Sequence, residues 1–173
     1  MRAVTMLSMR VILDNIRSLH NVGSIFRTSD AVGVEKIYLC GITPTPTDRF
    51  GNLLNDFAKT ALGAEKTVSW EKMSSTWRCI EKLKKEGFFV IALEQNLSSQ
   101  NLFTLNLRKS DFLRLVIVVG NEVKGVSRAV LERVNAIVEI PMVGKKESLN
   151  VSVAFGIAVY TLRFRLGGAI NVR

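Results

Sequence analysis

The sequence predicts an α/β fold in which helices cover both faces of a mainly parallel sheet. Short apolar, β-branched segments alternate along the 173 residues with segments of helical spacing, as is typical of parallel strands joined by helices. No Pro-, Gly- or Ser-rich linker divides the chain, and its length suits a single domain. Three polar clusters, at 21–27, 120–125 and 140–150, adjoin predicted strands, where an open α/β sheet collects its ligand-binding loops.

The same patterns set the order of the predicted elements. Segment 115–119 is the clearest strand, because four of its five residues are β-branched. Glycines end three of the helical patterns, and two prolines put a loop at 43–47. The predicted strands are 11–13, 36–40, 66–70 as an edge strand, 88–93, 115–119 and 136–140. The predicted helices are 22–32, 53–62, 74–86, 127–134 and 150–166.

The charge balance favours a polyanionic partner. With 24 Lys and Arg against 15 Asp and Glu, the chain carries a formal net charge of +9 at pH 7, which suits nucleic acid. A generally basic protein without such a partner is the alternative, and charge alone leaves both open.

The sequence carries no pattern typical of secretion, a disulfide framework or a membrane span. Cys40 and Cys79 lack CxxC spacing, so we expect two buried thiols and neither a disulfide nor a Cys-rich zinc site. The N-terminus is too short and too interrupted by arginine for a signal peptide, so a cytoplasmic setting is expected. Segment 151–166 is apolar, but it is shorter than the roughly 20 residues of a membrane span and contains Arg163 and Arg165. A helix buried in a core or a subunit interface fits it better.

Cluster 21–27 joins an asparagine to an arginine across a glycine. Asn21 is predicted to cap the helix that follows, and Gly23 lets another segment approach closely. Arg27 lies among apolar residues, so its guanidinium needs an anionic or hydrogen-bonding partner. That partner is either an acid such as Asp30, in a structural ion pair, or a bound ligand, and the spacing leaves both open.

Cluster 120–125 places a carboxylate between two glycines at a strand-to-helix turn. Glu122 either bonds a hydroxyl or amine of a ligand or is a solvated residue of an ordinary turn. Ser127 is the predicted N-cap of the next helix.

Cluster 140–150 follows a strand that ends at Pro141, and Ser148 or Asn150 opens the last predicted helix. These polar side chains either cap that helix or contact a ligand. The absence of GxGxxG and P-loop patterns disfavours a standard dinucleotide or triphosphate site. His20 is the only histidine, and it is expected to be structural because no Ser-His-Asp, Cys-His or HExxH set accompanies it.

Taken together and in this order, the clusters resemble the three motifs of the SPOUT superfamily. The closer likeness is to its SpoU (TrmH-like) branch of RNA ribose 2′-O-methyltransferases. The matching segments are 21–28 (NVGSIFRT), 118–127 (VVGNEVKGVS), 140–142 (IPM) and 148–154 (SLNVSVA), and 59–65 (KTALGAE) has a similar character. The likeness runs from about residue 11 to residue 166, and three ordered motifs are more specific than any one alone.

This resemblance implies a parallel sheet with a C-terminal trefoil knot that forms a site for S-adenosylmethionine. It implies one catalytic domain over 1–173, with no separate RNA-binding domain. It also implies a homodimer whose active sites are completed across the subunit interface, which the apolar final helix would suit. Nothing in composition or periodicity predicts a knot, since knots are rare. No metal is expected, because a sulfonium methyl group needs none for its transfer.

The motifs also imply roles for individual residues. Arg27 would be the catalytic residue that engages the RNA backbone and helps to activate the ribose 2′-hydroxyl, since a guanidinium stabilises a developing alkoxide. Asn21 would position the ribose and phosphate, and Glu122 would orient loops or substrate. Ser148 and Asn150 would shape the site where methyl donor and ribose meet. The residues implied to hold the cofactor are Leu93, Gly120, Asn121, Ile140, Met142, Ser148 and Leu149.

The first hypothesis is therefore methyl transfer from S-adenosylmethionine to a ribose 2′-oxygen of tRNA or rRNA. One alternative is a non-catalytic RNA-binding or ribosome-assembly factor on the same fold, and another is a SPOUT enzyme that methylates a base. A nucleotide-binding protein of another doubly wound type is disfavoured by the missing phosphate loop. RNA capture would rely on another protein or on basic residues that make salt-sensitive phosphate contacts. The candidates are Arg2, Arg10, Arg17, Lys145 and Lys146.

Overall fold

The part of the chain that the structure describes, residues 7–166 of a computed structural model, contains one seven-stranded sheet. The strands are β1 (Ser8–Asp14), β2 (Lys36–Cys40), β3 (Ser69–Met73), β4 (Phe89–Leu93), β5 (Gln100–Asn101), β6 (Arg114–Val119) and β7 (Ala136–Glu139). The helices are α1 (Leu19–Val32), α2 (Asn55–Ala61), α3 (Thr76–Lys85), α4 (Lys109–Phe112), α5 (Arg128–Leu131) and α6 (Val151–Leu166). The strand order is β3-β2-β1-β6-β4-β7-β5, and every pairing is parallel, as the sequence predicts.

Each face of the sheet packs into its own hydrophobic core. Val11 and Leu13 of β1 belong to one core and Ile12 between them belongs to the other, because successive side chains of a strand point to opposite faces. The central strand β6 alternates in the same way. Helices α1, α2 and α6 pack on the first face and α3 and α5 on the second, which confirms the prediction of helices on both faces.

Helix α1 begins at a serine and not at the predicted asparagine. The Ser18 hydroxyl oxygen accepts a hydrogen bond from the Asn21 backbone N–H at 3.3 Å, which is the normal contact of an N-cap. The prediction that Asn21 caps this helix was therefore wrong. Since Asn21 lies inside the first turn, its side chain is available for contacts beyond α1. The helix ends as predicted at Gly33, in the left-handed region with φ of 75°.

Helix α2 crosses α1 at the predicted point of close approach. A Cβ at Gly23 would lie 2.0 Å from the Thr60 hydroxyl oxygen, so a larger residue has no room there. The aromatic rings of Phe26 and Phe57 meet edge to face beside this crossing, 5.2 Å apart.

Two predicted elements are displaced or shortened in the structure. The edge strand predicted at 66–70 lies three residues later, as β3, because a 3₁₀ turn takes Ala64–Lys66 and Ser69 pairs with Lys36. The helix predicted at 127–134 is shorter, as α5, because the chain turns back to start β7 and the Asn135 N–H bonds the carbonyl of Val90. The short elements β5 and α4 were not predicted.

The two cysteines are buried free thiols, as predicted, and the fold brings them together. Cys40 ends β2 and Cys79 lies in α3, in the core of the second sheet face. Their mutual hydrogen bond, aided by burial, raises the pKa of the Cys79 thiol above its usual range. Cys79 is therefore protonated at neutral pH, and both cysteines pack as small core residues. Within residues 7–166, no helix is both long enough and apolar enough to cross a bilayer.

A buried arginine of α6 holds the C-terminal end of α1. The Arg163 guanidinium donates to the carbonyl oxygens of Val32, Gly33 and Leu7 at 2.9, 2.6 and 2.7 Å, and the residue is 7% exposed. Burial lowers the pKa of Arg163 below its ordinary value, but a guanidinium stays charged at neutral pH. Its charge is favourable here because the carboxyl end of a helix carries partial negative charge.

We expect Arg163→Ala to lower the free energy of unfolding by about 2–4 kcal/mol, because it removes three charge-assisted hydrogen bonds and leaves carbonyls without donors. Arg163→Lys should lose less, since it keeps the charge but has one donor centre for three carbonyls. Urea denaturation measures both. The matched control is Arg128→Ala, whose side chain is 92% exposed and which should change stability by less than about 0.5 kcal/mol. Equal losses for Arg163→Ala and this control would contradict the assignment.

Candidate functional site

A cleft opens at the carboxyl edge of the sheet, beside the loops that follow β4, β6 and β7. It has two adjoining lobes of about 510 and 130 Å³, and Leu93, Glu94, Ser148, Leu149 and Ala154 line both of them. All seven residues that the sequence motifs imply for cofactor binding line the cleft. Leu93, Ser148 and Leu149 face both lobes, Gly120 and Asn121 face the larger, and Ile140 and Met142 face the smaller.

The loop after β6 is closed by its own hydrogen bonds. The backbone groups of Asn121 and Gly125 bond each other at 3.1 and 2.8 Å. The Asn121 side chain accepts from the N–H groups of Val123 and Lys124, both at 3.0 Å, and donates to the Asn15 carbonyl at 2.7 Å. Because three hydrogen bonds of this side chain shape the loop, we assign the contribution of Asn121 to the cleft to its backbone.

Two glycines of this loop stand where no side chain fits. A Cβ at Gly120 would lie 2.4 Å from the backbone of Gly125 and Val126. At Gly125, with φ of 65°, it would lie 2.2 Å from Glu94 Oε2. The absent side chains let the Glu94 carboxylate accept from the Val126 N–H at 2.6 Å, so that the loops after β4 and β6 are joined.

The Glu122 carboxylate binds the N-terminal end of α1. It accepts from the N–H groups of Arg17 and Ser18 and from the Asn21 side-chain amide, each at 3.0 Å. Partial burial acts to raise the pKa of Glu122, but these three hydrogen bonds outweigh burial and hold that pKa below its ordinary value of 4.5. The amino end of a helix favours negative charge in any case. Glu122 is therefore an ionised acceptor at neutral pH.

A second amide continues this network to α6. The Asn150 side-chain NH₂ donates to the Asn21 Oδ1 at 3.1 Å, while the Asn150 Oδ1 accepts from the Ser152 N–H at 2.9 Å and caps α6. Asn150 thus fulfils the capping prediction and also contacts α1. The structure brings together Asn21, Glu122 and Asn150, and Asn150 lines the same lobe of the cleft as Ser148.

Arg27 is not part of this group. It is exposed on α1, lines neither lobe, and forms no side-chain hydrogen bond or ion pair with any residue of the described chain, Asp30 included. It lies six positions after Asn21, so at 100° per residue the two side chains leave the helix in different directions. The structure therefore leaves the predicted partner of its guanidinium open.

The basic residues predicted to capture RNA fall into three groups. Arg17, Lys145 and Lys146 are exposed. Arg10 is disfavoured for this role, because it lies near the amino end of β1 and its guanidinium is engaged by Tyr38, by Glu86 and by the ring of Phe88. Arg2 lies outside the described residues.

Sequence reasoning missed Glu94 and Asp14. Glu94 directly follows β4 and Asp14 ends β1, so both carboxylates obey the rule that located the other clusters. Among residues 7–166, no group of three or more His, Cys, Asp or Glu is arranged to hold a metal ion. His20 is exposed in the first turn of α1.

The family model described as the SpoU rRNA Methylase family matches residues 8–160. A relative from Staphylococcus aureus, assigned to the TrmH family of tRNA/rRNA methyltransferases, is 36% identical over 154 residues, which cover 89% of this chain. The chain spans only 58% of that relative's length.

Two solved structures share the fold. The A. aeolicus TrmH/SpoU tRNA modifying enzyme has a TM-score of 0.75 at 31% identity, and the match covers 92% of this chain and 77% of the other. The rRNA methyltransferase of Sinorhizobium meliloti, described as AdoMet bound, has a TM-score of 0.78 at 26% identity, and the match covers 91% of this chain and 56% of the other.

We expect Glu122→Gln to lower the melting temperature at pH 7 by about 2–4 °C, because it removes a negative charge from the amino end of α1. The folded pKa of Glu122 lies below the unfolded value, so its stabilisation is complete above pH 4.5 and is lost as the pH falls through the folded value. The difference from wild type should therefore shrink between pH 5 and about pH 3. Circular dichroism melts measure it, with the exposed Glu147→Gln as control. A difference that does not depend on pH would contradict this role.

Proposed function

This chain belongs to the SpoU rRNA methylase family, and from that membership we propose that it transfers a methyl group from S-adenosylmethionine to a ribose 2′-oxygen of tRNA or rRNA. The observation that carries the proposal is the single cleft in which the seven expected cofactor residues lie beside Asn21, Glu122 and Asn150. The AdoMet bound enzyme of Sinorhizobium meliloti supports the choice of cofactor. The ribose target rests on the likeness of 21–28 to the SpoU motif.

The cleft fits S-adenosylmethionine in size and lining. Its larger lobe of about 510 Å³ lies in the usual range for cofactor sites. Leu93, Leu149 and Ala154 offer an apolar wall, and Gly120 exposes backbone where a Cβ has no room. Leu93, Gly120, Ile140, Met142 and Leu149 would hold the cofactor through apolar and backbone groups. When bound, S-adenosylmethionine supplies a methyl group on a sulfonium centre, which reacts without a metal.

The polar residues at the cleft act by positioning and by charge. Glu122, ionised and bound to three donors, fixes the start of α1 and does not act as a proton donor. Asn21 is held by Glu122 and Asn150, and we assign it to the ribose and phosphate. Ser148 lines both lobes, where methyl donor and ribose would meet. Alignment of donor and nucleophile in such a site removes much of the barrier.

The exposed face of α6 supports a homodimer. Val153, Tyr160 and Phe164 are 51, 42 and 51% exposed, and the rings of Tyr160 and Phe164 stack 5.7 Å apart. These positions form one helical stripe, and exposed apolar stripes mark interfaces. In a dimer packed on this stripe, the exposed Arg27 of one copy would complete the active site of the other copy. There its guanidinium would stabilise the developing alkoxide.

The proposal includes the trefoil knot, one catalytic domain and a cytoplasmic location. The knot is supported by the path of 148–151, which lines the cleft opposite the β6 loop before α6 returns to pack on α1. An experimental structure with an unknotted backbone path would overturn the knot. The single domain is supported by the family match over 8–160, and the location by the proposed tRNA or rRNA substrate.

We expect Arg27→Ala to bind S-adenosylmethionine normally in calorimetry and to lose methyl transfer by a factor of about 10² or more, because its charge is needed only as the alkoxide develops. The control is Arg108→Ala, at a side chain that is 85% exposed and lies outside the cleft. It should keep both cofactor binding and methyl transfer. Mass spectrometry of nucleosides measures methyl transfer to bulk tRNA and rRNA. The same measurement on RNA from a deletion strain identifies the nucleotide that is methylated. Full turnover by Arg27→Ala would remove Arg27 from the reaction. Methylated bases would overturn the ribose target, and RNA binding without cofactor binding would indicate a non-catalytic factor.

We expect wild type to sediment as a dimer and Tyr160→Asp or Phe164→Asp as monomers at micromolar concentration, because each buries a charge in the apolar stripe. Leu97→Asp, at a fully exposed loop residue, should stay dimeric. Sedimentation velocity measures all four proteins. A monomeric wild type would contradict the dimer.

A further inference from the structure

A second cavity lies on the other side of the loop that follows β6. Its volume is about 430 Å³, and it extends from the end of β1 to the start of α5. Asn121, Val123 and Gly125 line it and also line the larger lobe of the cleft. One loop therefore separates the proposed cofactor site from a second space of similar size.

The wall of this cavity holds a buried carboxylate with spare capacity to accept a hydrogen bond. Asp14 is 2% exposed, and its Oδ1 accepts from the Thr76 hydroxyl and from the Asn15 side-chain amide. Its Oδ2 has only the Ser127 N–H, at the long distance of 3.5 Å. Buried acceptors normally find closer donors, so this oxygen suits a ligand that carries an N–H group.

The mouth of the cavity combines positive charge with exposed apolar surface. Arg17 and Lys124 are exposed, and neither side chain bonds another residue of the described chain. Ile42 and Val123 are 66 and 79% exposed at the same opening. Apolar side chains that share the opening of a cavity offer a surface on which a ligand can pack.

A nucleotide of single-stranded RNA matches all three features at once. The face of a base packs on apolar side chains, its edge presents N–H donors, and its phosphates pair with lysine and arginine. A free anion would be repelled by Asp14, and an apolar ligand would leave the two cations unused.

We propose that this cavity receives the base of a nucleotide adjacent in the RNA to the one that is methylated. The base edge would donate to Asp14, its face would contact Ile42 and Val123, and the flanking phosphates would meet Arg17 and Lys124. This inference rests on the proposed function, because it assumes RNA at the carboxyl edge of the sheet. It adds a subsite that would anchor the strand on the far side of the loop from the cofactor.

The first test compares Lys124→Glu with Lys85→Glu, a charge reversal on an exposed lysine at the end of α3. Binding to a labelled 20-nucleotide single-stranded RNA of mixed sequence is measured by fluorescence anisotropy over a salt series. We expect Lys124→Glu to bind about fivefold or more weakly and to lower the salt slope by about 1, while Lys85→Glu stays near wild type. Calorimetry with S-adenosylhomocysteine checks that the loop is intact. Equal RNA affinities for the two variants would overturn the subsite.

A second pair tests the apolar contact. Ile42→Asp should weaken the same RNA about as much, because it places a negative charge and removes apolar surface, while Ile42→Leu should not. Amide NMR then locates the binding site of each of the four nucleoside 5′-monophosphates on the full chain, which is saturated with S-adenosylhomocysteine. Shifts should appear at Ile42, Lys124 and Ser127, and their absence with every nucleotide would overturn the proposal. Wild type that binds RNA here but methylates none would overturn the proposed function instead, leaving an RNA-binding protein.

Discussion

The bond between the Glu122 carboxylate and the start of α1 is the contact on which the rest of the site depends. The first N–H groups of a helix have no partner within it, so they need an acceptor from elsewhere. Glu122 supplies that acceptor from a loop more than 100 residues further along the chain. By satisfying these donors it fixes α1 against the loop after β6 and orients Asn21 toward Asn150. Without it the three motifs would be neighbours at one sheet edge but would not form a common network.

The loop after β6 has a second consequence, because it is a wall shared by two cavities. Its shape depends on internal hydrogen bonds and on Gly120 and Gly125, at which a Cβ would collide with backbone or with Glu94. Glu94 and Asp14 then approach the loop from opposite sides, through the N–H groups of Val126 and Ser127. A thin, rigid partition of this kind lets two ligands lie close together without touching each other.

Much of this architecture is readable from local sequence patterns, and the remainder depends on distant contacts. The β-branched run at 115–119 and the glycine at 33 predict a strand and a helix end with no tertiary information. The N-cap was misassigned because Ser18 and Asn21 both suit that position and lie three residues apart, and the choice depends on Glu122. In the sequence, Arg163 served only as an argument against a membrane span. Its binding role was not predicted, because its three carbonyl partners come from two remote segments. The seven residues expected to hold the cofactor line one cleft because each motif follows a strand, and Glu94 went unnoticed although the same rule covers it.

Helix α6 grips α1 at both extremities. Asn150 meets Asn21 at one extremity, and Arg163 binds the last carbonyls at the other. Helix α1 has 14 residues and is about 21 Å long, and these contacts fix both of its ends to α6. The backbone of Arg27 lies between the two fixed ends, so it cannot tilt or slide independently of α6. Any adjustment of its guanidinium to a binding partner must therefore come from rotation about the side-chain bonds of Arg27.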